Sequence, residues 1–198
     1  PSGMPQTRGL HNTPLKPILV ENMIRRQLRG KKQISVLDSG AGYFQLASDI
    51  KRKFGSKVHV TGITLKSPFF SDKTIRESRD FDSSYERILL SAKENAKIVD
   101  NVKVGLVENM KRKRKFEIIF DYGGPLLYSL EKKRLFEQYA ELLKPNGVIV
   151  VKAITQISKE QINIINEKLK RKGFALTMPQ LIQESWNVYV IKKVEIKK

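Results

Sequence analysis

The turn Asp38-Ser39-Gly40-Ala41-Gly42-Tyr43 joins a short apolar run, Ile34–Asp38, to a segment in which Leu46, Ala47, Ile50 and Phe54 fall on one helical stripe. Glycines at a strand-to-helix turn let the backbone approach a ligand closely. The helix start offers unbonded N–H groups, and an acid there can bind a cation or sugar hydroxyls. The alternative reading is a tight turn with no ligand. A dinucleotide site would want G-x-G-x-x-G and an acid about 20 residues further on. Here the run is Gly40-Ala41-Gly42-Tyr43-Phe44-Gln45, and Thr64 stands where the acid would be, so a nicotinamide-type site is only a minor alternative. Further turns of the same kind follow the other apolar runs: Thr64-Leu65, Gly105-Leu106-Val107-Glu108-Asn109-Met110 and Asp121-Tyr122-Gly123-Gly124-Pro125.

The elements that must position these turns alternate in period. Val20, Met23, Ile24 and Leu28 predict a helix over 15–29, and Gly30 ends it. Strands are expected at 34–38, 58–65, 102–107, 116–120 and 148–151. Helices are expected at 46–54, at 83–98 through Ile88, Leu89, Ala92 and Ala96, and at 135–143 up to the Pro145-Asn146-Gly147 break. A last helix carries Ile162, Ile165 and Leu169 and stops at Gly173. Phe174–Met178 and Trp186–Ile191 then read as an antiparallel edge pair. Residues 66–81 have no clear period and read as a loop with a short helix. Strand, helix and strand within about 30 residues is the βαβ unit. Its repetition predicts an α/β fold, a doubly wound, mostly parallel sheet with helices on both faces. In such a sheet ligands sit outside the carboxyl ends of the strands, where the turns named above lie.

Composition narrows the chemistry. The 198 residues contain no cysteine and two histidines, His11 and His59, which excludes thiolate nucleophiles and Cys-based metal centres and makes a histidine triad improbable. With 40% apolar and 29% charged residues the chain suits one domain, expected at 15–198 after a loose lead-in at 1–14. Pro1-Ser2-Gly3 ahead of Met4 read as vector-derived residues. No apolar run approaches the ~20 residues that span a bilayer, and no signal peptide is visible in the first residues. The expectation is therefore a soluble cytoplasmic protein.

Three stretches together resemble the class I S-adenosylmethionine-dependent methyltransferases. They are Val36-Leu37-Asp38-Ser39-Gly40-Ala41-Gly42, Phe116-Glu117-Ile118-Ile119-Phe120-Asp121, and the run from Ala140 through Leu142-Leu143-Lys144-Pro145-Asn146-Gly147 to Lys152. Their order and spacing agree over about residues 34–192. The resemblance implies a seven-stranded sheet whose C-terminal strand is antiparallel. It also implies S-adenosylmethionine as cofactor, laid across Asp38, Ser39, Gly40, Ala41, Gly42 and Tyr43, with Thr64 and Leu65 at the ribose and Glu108 or Asn109 at the adenine. Asp121 would then be a general base or hold a substrate amine, and Tyr122 or Tyr128 would wall the acceptor pocket; the alternative there is a glycine turn with a solvated Asp, and Lys152, a further candidate contact, reads better as a solvated lysine ending its strand. Three positions depart from the family pattern: Phe44 for a glycine, Thr64 for an acid, and Leu106 for another acid. Some branches, the cyclopropane-synthase-like enzymes among them, have a similar G-[IV]-T-[IL] at the second strand. The departures keep a second reading open, a non-catalytic module with this fold.

The formal charge of +18 suggests an anionic partner. The densest run is Lys111-Arg112-Lys113-Arg114-Lys115, which reads as nucleic-acid binding or as a nuclear localisation signal. It immediately precedes a strand, as do Lys31-Lys32, Lys57, Lys144 and Arg171-Lys172. The charge should therefore collect at the amino edge, opposite the ligand turns. Cations complementing helix C-termini there are the plainer explanation. The turns 39–44, 106–110 and 121–129 contain no Lys or Arg. The amino edge is thus expected to dock RNA, an anionic membrane or an acidic partner rather than to line a substrate channel.

Overall fold

The computed structural model describes residues 17–65, 83–110, 115–122, 124–128, 131–152, 159–177, 180–183 and 188–196. The elements are α1 (Pro17–Leu28), β1 (Ile34–Asp38), α2 (Gln45–Phe54), β2 (Val58–Thr64), α3 (Ser83–Ile98), β3 (Asn101–Val104), β4 (Phe116–Tyr122), the single turn α4 (Pro125–Tyr128), α5 (Lys132–Leu142), β5 (Leu143–Lys152), α6 (Lys159–Lys170), β6 (Phe174–Leu176), β7 (Gln180–Gln183) and β8 (Val188–Glu195).

The sheet order is β3-β2-β1-β4-β5-β8-β6, with β7 also paired to β8. The first five strands are mutually parallel. β8 runs antiparallel to β5. Its outer edge takes β7 along residues 188–190 and β6 along 193–195, so β6 and β7 share the seventh position of a mixed sheet. Chain order reverses between β1 and β4, and this switch point is where an open α/β sheet leaves a crevice at its carboxyl edge.

Each face of the sheet carries its own core. Val20 and Ile24 of α1, Leu46, Ala47 and Ile50 of α2 and Ala96 of α3 pack on Val36, Val60, Ile118 and Val150. Leu135, Tyr139 and Leu142 of α5 with Ile162, Ile165 and Leu169 of α6 cover Leu37, Ile119, Ile149 and Ile191. Burial on both faces is why β1 and β4 read as unbroken apolar runs rather than alternating ones. Among the described residues no helix is long and apolar enough to cross a membrane.

Three sequence expectations change. The Pro145-Asn146-Gly147 break does not separate α5 from its strand. β5 starts at Leu143, directly after the helix, and absorbs the tripeptide as an irregularity in its pairing with β4. Asn146 takes a left-handed φ of 60°, which asparagine tolerates, and Gly147 lies so close to the Glu117 carbonyl that a Cβ would come within 2.9 Å. The third strand ends at Val104 rather than 107, because Gly105 turns at φ 130° and Val107–Asn109 forms a 3-10 turn. The last strand is displaced to Val188–Glu195, and β7 was not foreseen. Residues 66–81, Met178 and Trp186 lie outside the described residues.

At the amino edge, Glu117 of β4 is buried with its carboxylate held three ways. Its Oε2 accepts from Ser35 N at 2.7 Å, and its Oε1 accepts from Lys144 Nζ at 2.8 Å and Lys31 Nζ at 3.5 Å. Burial alone would raise its pKa, but the bonds from Lys144 and Ser35 and the charges of Lys144 and Lys31 outweigh it and hold the carboxyl below the ordinary 4.5. A depressed carboxyl contributes stability that is fully present above the unfolded-state pKa and is lost as pH falls through the folded one. Glu117→Gln should therefore flatten the acid side of a stability profile below about pH 4.5, read from urea midpoints between pH 3 and 7. A parallel profile for the two proteins would refute this.

Candidate functional site

The turn after β1 is held from three sides. Ser39 N bonds to Phe120 O and Ala41 N to Ile63 O, both at 2.9 Å, which ties the turn to the ends of β4 and β2. Gly40 packs backbone to backbone on Gly124: a Cβ on Gly40 would stand 2.4 Å from Gly124 Cα. The turns after β1 and β4 therefore touch directly, and only glycine permits the approach. Gly42 adopts φ 50° and Phe44 φ 60°.

Phe44, which the sequence offers as a lost glycine, is fully buried in the core under α2. Its ring fills the space over Gly62 of β2, where a Cβ would meet Phe44 Cε1 at 2.5 Å. This departure is thus a packing exchange beneath the turn. Tyr43 is held by α3: Asn95 Nδ2 donates to Tyr43 O at 3.2 Å and Gln45 Oε1 at 3.1 Å. Asn95 Oδ1 accepts from Ser48 Oγ at 3.1 Å and Arg52 Nη2 at 3.0 Å. Sequence inspection missed Asn95, a polar residue on an apolar helix face.

It also missed Tyr139 of α5, although a tyrosine on a buried stripe signals a hydroxyl that needs a partner. The Tyr139 hydroxyl donates to Asp121 Oδ2 at 2.6 Å and lies 2.7 Å from Ser39 Oγ, whose own proton is within reach of both the tyrosine oxygen and Phe120 O at 3.0 Å. Asp121 also accepts Gly124 N–H on Oδ1 at 2.9 Å and Leu126 N–H on Oδ2 at 3.0 Å. With Asp121 0% exposed, its carboxylate closes the β4 turn and starts α4, and both oxygens face inward. Burial, followed by the Asp121 charge and hydrogen bond, raises the Tyr139 phenol well above 10. Tyr122, 4% exposed, stacks on Phe120 with ring centroids 5.8 Å apart. Burial and the neighbouring Asp38 carboxylate raise its phenol well above the ordinary value, so it stays protonated. Asp38 and Ser39 are themselves buried at the end of β1.

The ends of β2 and β3 are different in kind. They are adjacent and in register, Thr64 opposite Val104, and Gly105 N bonds to Thr64 O at 2.9 Å. Leu65 and Leu106 directly follow these strands and are 72% and 51% exposed, beside Val104 at 58%. Glu108 lies in the following 3-10 turn. Its Oε2 is buried with no hydrogen-bond partner among the described residues, while Asn109 is exposed. The edge thus sets two apolar side chains at neighbouring strand ends, an arrangement suited to the faces of a flat ring, while the Glu108 oxygen is turned inward, where its charge acts on the Tyr139 phenol. Gly123, the Tyr128 and Lys152 side chains and residues 111–114 lie outside the description.

The fold has counterparts in solved structures. An amino pentose methyltransferase from Micromonospora echinaspora, solved with bound S-adenosylmethionine, superposes with TM-score 0.57 at 12% identity over 88% of this chain and 89% of that one. Magnesium protoporphyrin IX methyltransferase from Synechocystis gives 0.54 at 14% over 90% and 78%. A class I S-adenosylmethionine-dependent methyltransferase structure from Listeria monocytogenes gives 0.56 at 14% over 98% of this chain, which spans only 64% of that protein. No family model and no curated protein sequence matches the chain. Strand order, the antiparallel β8 and these superpositions agree that the chain has the class I methyltransferase fold.

Proposed function

We propose that the chain binds S-adenosylmethionine across the carboxyl ends of β1, β2 and β3 and transfers its methyl group to an acceptor presented at the β4 turn. The observation that carries this reading is the pair of exposed leucines, Leu65 and Leu106, at adjacent in-register strand ends on the carboxyl edge of this fold. Two side chains of that size left in water at adjacent strand ends fit the faces of an adenine, and Asn109, exposed in the turn that follows, offers an amide oxygen to its amine. Gly40 and Gly42 leave the first turn without side chains where the methionine and ribose portions would lie. Thr64 supplies one hydroxyl toward the ribose, a weaker partner than a carboxylate. When bound, the cofactor supplies an electrophilic methyl group. The protein's part is alignment: Asp121 and Tyr139 fix the turn that meets Gly40, so that acceptor and methyl group share one rigid frame. In this reading Asp121 is a positioning residue rather than the base that its place in the sequence suggests, because its oxygens are taken.

The acceptor is undetermined. An anionic partner at the amino edge, and a cytoplasmic or Lys111–Lys115-directed nuclear location, belong to the same proposal. The second reading, a non-catalytic module, loses one support through the burial of Phe44 and another where Leu106 serves as an apolar wall of the proposed site, and retains Thr64. Titration calorimetry with S-adenosylmethionine and S-adenosylhomocysteine separates the two. Micromolar binding is expected, weakened roughly tenfold or more in Leu106→Ala, since burying a leucine is worth about 1.5–3 kcal/mol. Absence of heat up to millimolar cofactor would leave only the non-catalytic reading.

A further inference from the structure

The strand order β2-β1-β4-β5-β8-β6 places at least one lysine at the amino edge of each successive strand, within it or just before it. Lys57 ends the turn before β2, Lys31 and Lys32 precede β1, Lys115 precedes β4, and Lys144 lies at the start of β5. Lys193 is near the end of the reversed β8, and Lys172 precedes β6. Neighbouring strands are about 4.8 Å apart, so the row extends roughly 24 Å. It stops at β3, which Asp100 precedes. Two carboxylates are embedded in it. Glu117 pairs with both Lys31 and Lys144, and Glu141 pairs with Lys172 at 2.8 Å while its backbone carbonyl takes Lys115.

Capping of helix ends explains part of this row. Lys193, 5% exposed, donates to Ala140 O and Leu143 O at 2.9 Å each, and Lys115 bonds to the last turn of α5. It does not explain the others. Lys31, Lys144 and Lys172 keep 42%, 40% and 58% of their side chains in water, the first two sharing the Glu117 carboxylate and the third on that of Glu141, and Lys32 and Lys57 are exposed. Burial, with the charges of Lys115 and Lys172, lowers the Lys193 pKa to about 8. A linear array of like charges on one rigid edge matches a partner with a linear array of the opposite charge.

We infer that this edge docks the phosphate backbone of double-helical RNA, on the side of the sheet away from the proposed cofactor. Lysines act there as point charges on phosphate oxygens and read no sequence. The described exposed residues of the row include no aromatic on which unpaired bases could stack, which favours a duplex over a single strand. They include no large exposed apolar side chain either, apart from Ile196 at the far end, which disfavours insertion into a membrane surface. The inference goes beyond the proposed methyl transfer and holds whether or not the cofactor binds.

The test is fluorescence anisotropy of the full chain with a labelled 20-base-pair RNA duplex from 50 to 300 mM KCl. Binding in the range of about 1–100 µM near physiological salt is expected, falling linearly on a log–log plot. The triple variant Lys32→Gln, Lys57→Gln, Lys172→Gln leaves the two partners of Glu117 in place. It should bind at least tenfold more weakly at low salt and lose about 2–3 units of slope. The triple variant Lys103→Gln, Lys133→Gln, Lys159→Gln removes equal charge from β3 and from the helix starts at the opposite edge, and should stay within threefold of wild type. Equal losses in the two variants would show diffuse attraction and overturn the proposal. So would tighter binding to polyglutamate, to phosphatidylserine vesicles, or to single-stranded oligouridine or duplex DNA of the same length. Calorimetry with S-adenosylhomocysteine on the first variant should match wild type, so that a failed RNA site and a failed cofactor site give different patterns.

Discussion

Gly40→Val should lower the melting temperature by roughly 5–10 °C as well as abolish cofactor binding. A Cβ at this position lies 2.4 Å from Gly124 Cα, and the obstacle is backbone, which cannot rotate aside. Overpacking of this kind costs about 1–3 kcal/mol, and each kcal/mol is worth about 2–4 °C in a chain of this size. The matching change on the other turn, Gly124→Ala, brings a Cβ within 2.8 Å of Asp121 Oδ1 and 2.9 Å of Gly40 Cα. It should reproduce both losses although it sits on the acceptor side. Thermal melts and cofactor titrations of the two variants make the comparison. A Gly124→Ala protein with unchanged melting and affinity would show that the turns move independently.

Asp121→Asn separates two roles for this residue. A general base replaced by its amide leaves a stable, inactive protein. Here the carboxylate accepts from Gly124 N, Leu126 N and the Tyr139 hydroxyl, and an amide must turn a donor toward one of these donors. The expected cost is about 2–4 kcal/mol, a fall in melting temperature on the order of 5–15 °C. Tyr139→Phe, which leaves Asp121 Oδ2 and Ser39 short of one partner, should move in the same direction by a smaller amount. Unchanged melting in Asp121→Asn together with lost turnover would restore the base.

How far the sequence discloses this architecture depends on what fixes each element. β1 is found to the residue because both of its faces are covered and a buried strand must be apolar throughout. The start of β5 is hidden because Pro145-Asn146-Gly147 carries turn residues, and only the close approach of Gly147 to the Glu117 carbonyl shows that the strand continues through them. β7, Gln180-Leu181-Ile182-Gln183, is too short to show a period. At the candidate site Leu106 reads in sequence as a missing acid, and only its exposure beside the end of β2 gives it another role, whereas the glycine turn can be read from residue type and place. The parts contributed at a distance cannot: Tyr139 reaches Ser39 across 100 positions and Asn95 reaches the Tyr43 carbonyl across 52, and no local spacing encodes either.

The ring of Phe44 over Gly62 also constrains how this chain could have diverged. Phe44 can be exchanged for a small residue while Gly62 stays, leaving a cavity that costs about 3–5 kcal/mol. Enlarging Gly62 first drives a methyl group into the ring at 2.5 Å. The two positions are therefore order-dependent: a lineage arriving at Phe44 must already have held a glycine at 62, and one leaving it must give up the aromatic before the glycine. Homologous sequences should contain small–small, aromatic–glycine and small–large combinations at these sites, and the aromatic–large combination should be missing.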